Sequence, residues 1–191
     1  MHEYPLQLTV GGKPITFRMA AAGDRDRVVA LARSLPEHDL LFLARDLTQD
    51  KVVEEWIADP NADIIVALDG QQMLGYAAVQ RTPQRWSAHV AELRVLTATS
   101  MRGKGLGRVL TQEAFALALG MGMEKMMAQM TLDQKGAIAV FEGLGFRPEA
   151  LLRDHVKDRA GQKHDLLVLS HEVARFEAQQ AAYGVTEAFG A

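Results

Sequence analysis

The sequence predicts a mixed α/β fold in a single domain, and three observations support this. The chain has 191 residues, a length at which one domain buries roughly 70% of its unfolded surface. Hydrophobic residues make up 48% and charged residues 24%, as in ordinary globular proteins, with no internal repeat and no linker. Strand-like segments outnumber helical ones early and alternate with them later, which favours a sheet with antiparallel and parallel neighbours over an all-parallel sheet.

The composition excludes several classes of function. The chain has no cysteine, which excludes disulfides, thiolate-bound metals and a cysteine nucleophile. A formal charge of -3 argues against a nucleic-acid partner, because phosphate binding needs clustered cations. The first residues lack the pattern of a signal peptide, and no run approaches about 18 apolar residues. We therefore expect a cytoplasmic protein without a membrane partner.

The first half of the chain predicts two hairpins with two helices between them. Glycines at 11–12 and at 70 mark the turns of the hairpins. Gly23-Asp24 offers the expected cap of the first helix, and Thr48 is the expected cap of the second. The expected segments are strands at 6–10 and 15–20, helices at 24–34 and 48–58, and strands at 64–68 and 73–80. The stretch at 37–46 has no clear period and stays unassigned.

The second half alternates strands and helices. The expected segments are strands at 89–97 and 125–131, helices at 104–119 and 134–144, strands at 151–156 and 166–170, and a helix at 172–182 before a loose tail. Methionines concentrated between 121 and 130 are interpreted as core filling. Residues 1–22 are expected to form a hairpin that includes the first domain strand. The main domain is expected at 15–171, and a carboxy-terminal helix and tail at 172–191.

A glycine-rich turn, Arg102-Gly-Lys-Gly-Leu-Gly-Arg108, joins a predicted strand to a predicted helix. Such a turn leaves backbone N–H groups free at the positive end of the helix dipole, and glycines let a ligand approach that backbone. The residues therefore predict a pyrophosphate site, and the alternative is a turn whose glycines serve only its tight geometry. The spacing departs from both the dinucleotide fingerprint and the Walker A loop. A nucleotide-binding oxidoreductase is accordingly the weakest of the alternatives.

A second block at 139–148 follows about thirty residues later. Together the two blocks resemble the GNAT superfamily of acyl-CoA N-acyltransferases. The first matches that family's Q/R-x-x-G-x-G/A loop at Arg102, Gly105 and Gly107. The second is similar to its A-x-x-x-Y-E-x-x-G-F helix, with Phe141 where tyrosine is usual. The resemblance spans roughly 15–170. It implies an N-acetyltransferase domain at 15–171, with a central, mostly antiparallel, splayed mixed sheet flanked by helices.

The resemblance implies acetyl-CoA as co-substrate and assigns residues to it. Leu96 and Thr97 are expected to present backbone groups to the pantetheine arm. Gln134 stands where the family often has an asparagine in contact with that arm, and Phe141 lies on the second block. The pyrophosphate is expected at Arg102, Gly103, Lys104, Gly105, Leu106, Gly107 and Arg108. For the lysine and the second arginine of that set, solvated cations at a helix start are an equal alternative.

The implied chemistry is transfer of the acetyl group to a primary amine, with Glu92 as the general base. A simple ion pair between Glu92 and Arg94, which share a strand face, is the alternative interpretation. His89 is a weaker candidate base. Phe141 has no proton for the departing thiolate, which leaves water, another donor or a lack of catalysis open. Since no cysteine is available to carry the acetyl group, direct transfer in a ternary complex is favoured. The alternative function is a non-catalytic acyl-CoA-binding regulatory module.

The acceptor is expected to be a small-molecule amine rather than a protein, and a homodimer is left open. The acceptor pocket is expected in the segments 36–47 and 81–86. Glu37, Asp39 and Asp46 could attract a cationic amine, but a solvated acidic loop explains them better. Two Asp-His pairs, at 154–155 and 164–165, come nearly opposite each other in the predicted hairpin. Cross-strand polar contacts explain these pairs better than a metal or amine site, and no metal is expected.

Overall fold

The protein contains a single eight-stranded sheet in its computed structural model, which describes residues 3–40, 43, 45–158 and 160–174. The strands are β1 Leu6–Val10, β2 Lys13–Met19, β3 Ala62–Asp69, β4 Gln72–Arg81, β5 Val90–Thr97, β6 Lys125–Thr131, β7 Arg147–Lys157 and β8 Lys163–Glu172. Their order in the sheet is β1-β2-β3-β4-β5-β6-β8-β7. All neighbours are antiparallel except β5 and β6, which are parallel.

Helices cover both faces of this sheet. Those in the described residues are α1 Arg25–Arg33, α2 Glu37–Leu40, α3 Asp50–Ile57, α4 Leu106–Gly120 and α5 Lys135–Gly143. On one face, α4 buries Leu106 and Leu110 against β4 and β5 in a core that also holds Phe17 and Phe146. On the other face, α1 and α3 form a second core around Trp56. The predicted mixed α/β fold, with a mostly antiparallel sheet flanked by helices, is confirmed.

The amino-terminal hairpin is part of the sheet and contacts α4. Gly11 and Gly12 have φ of 59° and 81°, which the tight turn between β1 and β2 requires. The Tyr4 hydroxyl donates to Glu113 Oε2 of α4 at 2.9 Å. A Cβ on Gly11 would lie 2.9 Å from Cβ of Lys104, so the turn packs directly on the loop that precedes α4.

Asp24 occupies the N-cap position of α1, as predicted, whereas Thr48 does not cap α3. Asp24 precedes α1, but its buried carboxylate makes no cap hydrogen bond and instead accepts bonds from Arg18, Arg27 and the amide of Ala21. These donors outweigh the cost of burial and lower the pKa of Asp24 to about 2. Helix α3 begins after Gln49 rather than at Thr48, because the Thr48 hydroxyl and amide both donate to Asp46 Oδ1.

Strands β5 and β6 separate after a short parallel ladder. They pair only from Val90 with Lys125 to Glu92 with Met127, and their remaining residues diverge. This divergence is the splay that the family resemblance implies. The predicted helix at 172–182 and the tail lie almost entirely outside the described residues. Within those residues, no helix combines the length and the apolar character needed to cross a membrane.

Candidate active site

A cleft of about 900 Å³ opens where β5 and β6 diverge. Its floor is formed by both strands, and its sides by the start of α4, the start of α5 and segments before and within α3. The predicted site residues that line it are Glu92, Leu96, Thr97, Arg102, Gly103, Gly105, Gly107, Arg108, Gln134 and Phe141. Lys104 and Leu106 are not in the lining, since Lys104 lies under the hairpin turn and Leu106 is buried in the core.

The loop before α4 exposes backbone amides to this cleft. Gly103 and Gly105 have φ of 71° and 88°, a left-handed conformation that favours glycine. The first bond into the helix runs from the amide of Val109 to the carbonyl of Gly105, at 3.1 Å. Among the described residues, the amides at 106–108 therefore have no protein acceptor and lie at the positive end of the α4 dipole.

The glycine at 107 is not required by protein packing. A Cβ on Gly107 would meet only Cγ2 of Thr97, at an ordinary 3.9 Å, and a Cβ on Gly103 or Gly105 would meet nothing within 4 Å. Gly107 also lies inside α4, where alanine favours the helix more than glycine does. A space that a methyl group would fill, next to free amides, fits a ligand phosphate that approaches the backbone.

The open edge of β5 offers backbone groups to an extended ligand. The amide of Ala98 donates to the carbonyl of Leu74 on β4 at 2.8 Å. By strand alternation, Leu96 then directs its backbone groups to β4, whereas Val95 and Thr97 direct theirs to the splayed side. Of the two residues predicted for the pantetheine arm, only Thr97 thus has its backbone on the open side.

Gln134 lies across the cleft from this edge, immediately before α5. Its side-chain oxygen accepts a hydrogen bond from the amide of Thr131 at 3.2 Å, which fixes the side chain at the end of β6. Its Nε2 donor has no protein acceptor among the described residues and is available to a ligand.

Glu92 stands at the closed end of the splay, as the last residue of β5 that pairs with β6. Arg94 Nη2 donates to Glu92 Oε2 at 2.8 Å, so the ion pair considered from the sequence does form. Both side chains line the cleft and are only partly buried. Within the described residues, Glu92 Oε1 accepts no hydrogen bond. The pair therefore holds one carboxylate oxygen and leaves the other available for a proton.

The aromatic rings of the cleft supply no obvious acid. Phe141 is 5% exposed and packs edge-on against Phe146, with ring centroids 5.0 Å apart. Tyr76 also lines the cleft, and its ring packs edge-on against Trp56 at 5.0 Å. Burial raises the pKa of the Tyr76 phenol well above its usual range. The phenol therefore stays protonated at neutral pH but is a weak proton donor.

Other residues reach the cleft without having been singled out individually from the sequence. They include Arg45, Trp56 and Tyr76. Arg45 lies nearest Glu92 of the three, because it donates to Gln80, which pairs with Glu92 across β4 and β5. Arg45 lies in the stretch without periodicity, so no pattern could assign it a position. No residue of the predicted acceptor loop at 81–86 is among the described lining residues, and Trp86 is 79% exposed to solvent.

The short helix α2 lines part of the cleft, and two of its residues contact the opposite side. His38 Nε2 lies 2.7 Å from Asp133 Oδ2, at the end of β6. Asp39 pairs with Arg102 of the glycine-rich loop. Asp39 therefore neutralises a cation predicted to bind phosphate, rather than standing free to attract an amine.

Residues of the two Asp-His pairs make local polar contacts in the β7–β8 hairpin. Asp165 Oδ1 accepts the backbone amide of Asp154 at 3.0 Å, and His164 Nε2 lies 3.0 Å from Asp158 Oδ2. Asp154 has φ of 53°, and the β7–β8 register shifts around it. No group of three or more potential metal ligands occurs among the described residues.

Comparison with known proteins identifies the family. The sequence model of the Acetyltransferase (GNAT) family matches residues 27–146, which is more than half of the chain. The chain belongs to the GNAT acetyltransferase family. A curated relative is "Putative phosphinothricin acetyltransferase YwnH" of Bacillus subtilis (strain 168), which is 24% identical over 172 residues, covering 84% of this chain and 100% of the relative.

Solved GNAT structures share the fold. A GNAT-family acetyltransferase of Streptococcus pneumoniae superposes with a TM-score of 0.74 at 16% identity, covering 83% of this chain and 99% of its own. The protein yncA of Salmonella typhimurium, solved with its cofactor acetyl-CoA, gives 0.73 at 20% identity, covering 83% and 94%. GNAT acetyltransferases use acetyl-CoA, and the free amides and open strand edge of this chain fit that co-substrate.

Proposed function

We propose that this GNAT acetyltransferase moves the acetyl group of acetyl-CoA directly to the primary amine of a small molecule, in a ternary complex. One observation carries the proposal: a free carboxylate oxygen of Glu92 lies in the same cleft as the unpaired amides at the start of α4. A base and an anion site in one cleft are what a reaction between a protonated amine and a phosphorylated thioester requires.

Some residues of the cleft bind acetyl-CoA, and others transfer a proton. The amides at 106–108, with Arg102 and Arg108, hold the pyrophosphate, and the open edge at Thr97 holds the pantetheine arm. Acetyl-CoA supplies the acetyl group already activated as a thioester. Positioning of the two substrates is the larger contribution to the rate. Alignment gives effective molarities of about 10⁵ to 10⁸ M, whereas one general base raises the rate by about 10² to 10⁴-fold.

Glu92 acts on the acceptor amine. Glu92 Oε1 takes one proton from the protonated acceptor amine. The neutral amine then attacks the thioester carbonyl carbon, the carbon–sulfur bond breaks, and the second proton that the nitrogen loses passes to water. The thiolate takes its proton from water, since Phe141 has none to give and the Tyr76 phenol is a weak donor. Arg94 holds Oε2 and keeps the carboxylate directed along the cleft.

The second candidate is a non-catalytic acyl-CoA-binding module, which the buried ring of Phe141 favours. Calorimetry with acetyl-CoA, CoA and NADH comes first, and binding of NADH alone would overturn both candidates. Thiol release is then measured over a panel of small amines. We expect tight acetyl-CoA binding and acetylation of at least one amine. Binding without amine-dependent thiol release supports the module instead.

A further inference from the structure

The turn between β1 and β2 packs on a residue of the glycine-rich loop before α4. An added Cβ on Gly11 would lie 2.9 Å from Cβ of Lys104, 3.2 Å from its Cδ and 3.4 Å from its Cγ. The aliphatic part of the Lys104 side chain therefore lies across Gly11. From the sequence, Lys104 was a phosphate contact or a solvated cation, and this packing gives it a third role.

The hairpin that carries this turn is itself anchored on α4. Val10 is 5% exposed and belongs to the core that contains Leu106 and Leu110 of α4. The hydroxyl of Tyr4 donates to Oε2 of Glu113, a residue that is 4% exposed. Because the hairpin contacts the helix at two separated points, its turn has a fixed position relative to the start of α4.

The glycine-rich loop needs contacts of this kind to hold one conformation. Gly103 and Gly105 both have positive φ, and glycine loses more conformational freedom on folding than any other residue. Met101 before these glycines and Leu106 after them are buried in the core. Lys104 stands between the two glycines and has the side chain that the latter lack. Packing on Lys104 is therefore the way in which the rest of the fold can fix both of them.

We infer that the β1–β2 turn, through Gly11 and Lys104, positions the loop that binds the pyrophosphate of acetyl-CoA. Both are positioning residues, and the contact between them keeps the amides at 106–108 directed to the ligand. The hairpin precedes the residues 27–146 that match the family model, so membership of the family assigns it no such role. The inference rests on the part of the proposed function that places the pyrophosphate at these amides, and not on the acceptor amine.

The test compares Gly11→Ala with Gly12→Ala in the full-length protein. The two glycines have φ of 59° and 81° in the same turn, so alanine adds a similar left-handed strain at each. An added Cβ on Gly12 meets nothing within 4 Å, whereas one on Gly11 collides with Lys104.

Calorimetry with acetyl-CoA gives the decisive difference between these variants. Gly11→Ala should raise the Kd about 10- to 100-fold, the effect of losing one charge-assisted hydrogen bond from the displaced loop. Gly12→Ala should stay within about twofold of wild type. Thermal unfolding of both variants measures the strain that they share. An equal Kd for the two variants would overturn the inference.

A double-mutant cycle tests whether the effect passes through Lys104. Lys104→Gly removes the Cβ that the new methyl group meets, so adding Gly11→Ala to it should change the Kd by less than about twofold. Lys104→Ala keeps that Cβ, and in this background Gly11→Ala should still raise the Kd about 10-fold or more. An equal effect of Gly11→Ala in both backgrounds would contradict the inference.

Hydrogen exchange gives a readout that needs no ligand. The amide of Val109 donates to the carbonyl of Gly105 at 3.1 Å, and it should exchange about 10-fold faster in Gly11→Ala than in Gly12→Ala. If Gly11→Ala does not fold, Tyr4→Phe loosens the hairpin from α4 without adding an atom, and it should raise the Kd and the exchange rate of Val109 about two- to fivefold. Unchanged values for Tyr4→Phe would then overturn the inference. Acetylation of no amine, with the expected Kd pattern intact, would overturn the proposed acetyl transfer alone.

Discussion

Replacing Gly107 with alanine separates ligand binding from folding. The new methyl group would lie 3.9 Å from Cγ2 of Thr97, its nearest protein neighbour outside the helix, so it causes no clash. Alanine gains up to about 1 kcal/mol over glycine inside a helix, which for a chain of this size raises the Tm by at most about 4 °C. The same methyl group fills the space beside the free amides at the start of α4.

Binding of acetyl-CoA should therefore weaken while the fold becomes no less stable. Loss of one charge-assisted hydrogen bond to the backbone predicts a Kd about 10- to 100-fold higher. Calorimetry gives the Kd and thermal unfolding gives the Tm. Gly23→Ala is the matched control, because a methyl group there also causes no clash, meeting nothing within 4 Å, and lies outside the cleft. A Kd within twofold of wild type would refute the assignment of the pyrophosphate to this turn.

Three further substitutions test the surroundings of the site. Gly75→Ala brings a Cβ to 2.6 Å from the carbonyl oxygen of Leu96, which β5 must move to accommodate. The substitution should lower the free energy of unfolding by about 1–3 kcal/mol, lower the Tm by about 2–12 °C and raise the KM for acetyl-CoA. Asp39→Asn releases Arg102 from its ion pair and should lower the Kd for acetyl-CoA about two- to fivefold, measured by calorimetry. Asp24→Asn should destabilise the fold by about 2 kcal/mol at pH 7. Because the pKa of Asp24 is lowered from 3.8 to about 2, the carboxylate stabilises the fold above pH 4, and denaturant melts should show the difference from wild type vanish as pH falls toward 2.

Each of these has a control and a contradicting outcome. Gly23→Ala again controls for the added methyl group. An unchanged Tm for Gly75→Ala would contradict the close approach of β4 to β5. Glu37→Gln, which removes a charge from α2 outside the cleft, is the control for Asp39→Asn. Weaker binding of acetyl-CoA by Asp39→Asn would refute the proposal that Asp39 competes with the pyrophosphate for Arg102. Asp26→Asn removes an exposed carboxylate from α1, and a stability difference that is constant from pH 7 to 2 would exclude the Asp24 ion pairs as its cause.

Local signals predicted much of the fold. The glycine turns at 11–12 and 70 mark their hairpins because few other residues adopt those backbone angles. The cap of α3 was missed because Thr48 donates to Asp46 instead, and the main partner of Asp24 was missed because it lies outside α1. Asp24 binds Arg18 of β2, a contact that depends on how α1 packs on the sheet.

The part of the candidate site that consists of backbone amides was predictable from the sequence. The side chains that tertiary packing brings to the cleft were not. The run from Gly103 to Gly107 marks a loop that exposes amides, whichever ligand it holds. Arg45 reaches the same cleft from a stretch without periodicity, and its position follows only from tertiary structure. The spacing of Glu92 and Arg94 predicted that they could pair. It did not predict that Glu92 is the last residue of β5 to pair with β6.

The most direct test of the account is the pH dependence of kcat for Glu92→Gln against wild type, with the best amine of the panel. The account predicts a kcat about 10² to 10⁴-fold lower at neutral pH. The difference in kcat between variant and wild type should shrink as the pH rises, because the amine then loses its proton to solvent without a general base. The Kd for acetyl-CoA should stay unchanged. Equal kcat for the two proteins across the pH range would contradict a role for Glu92 as the base.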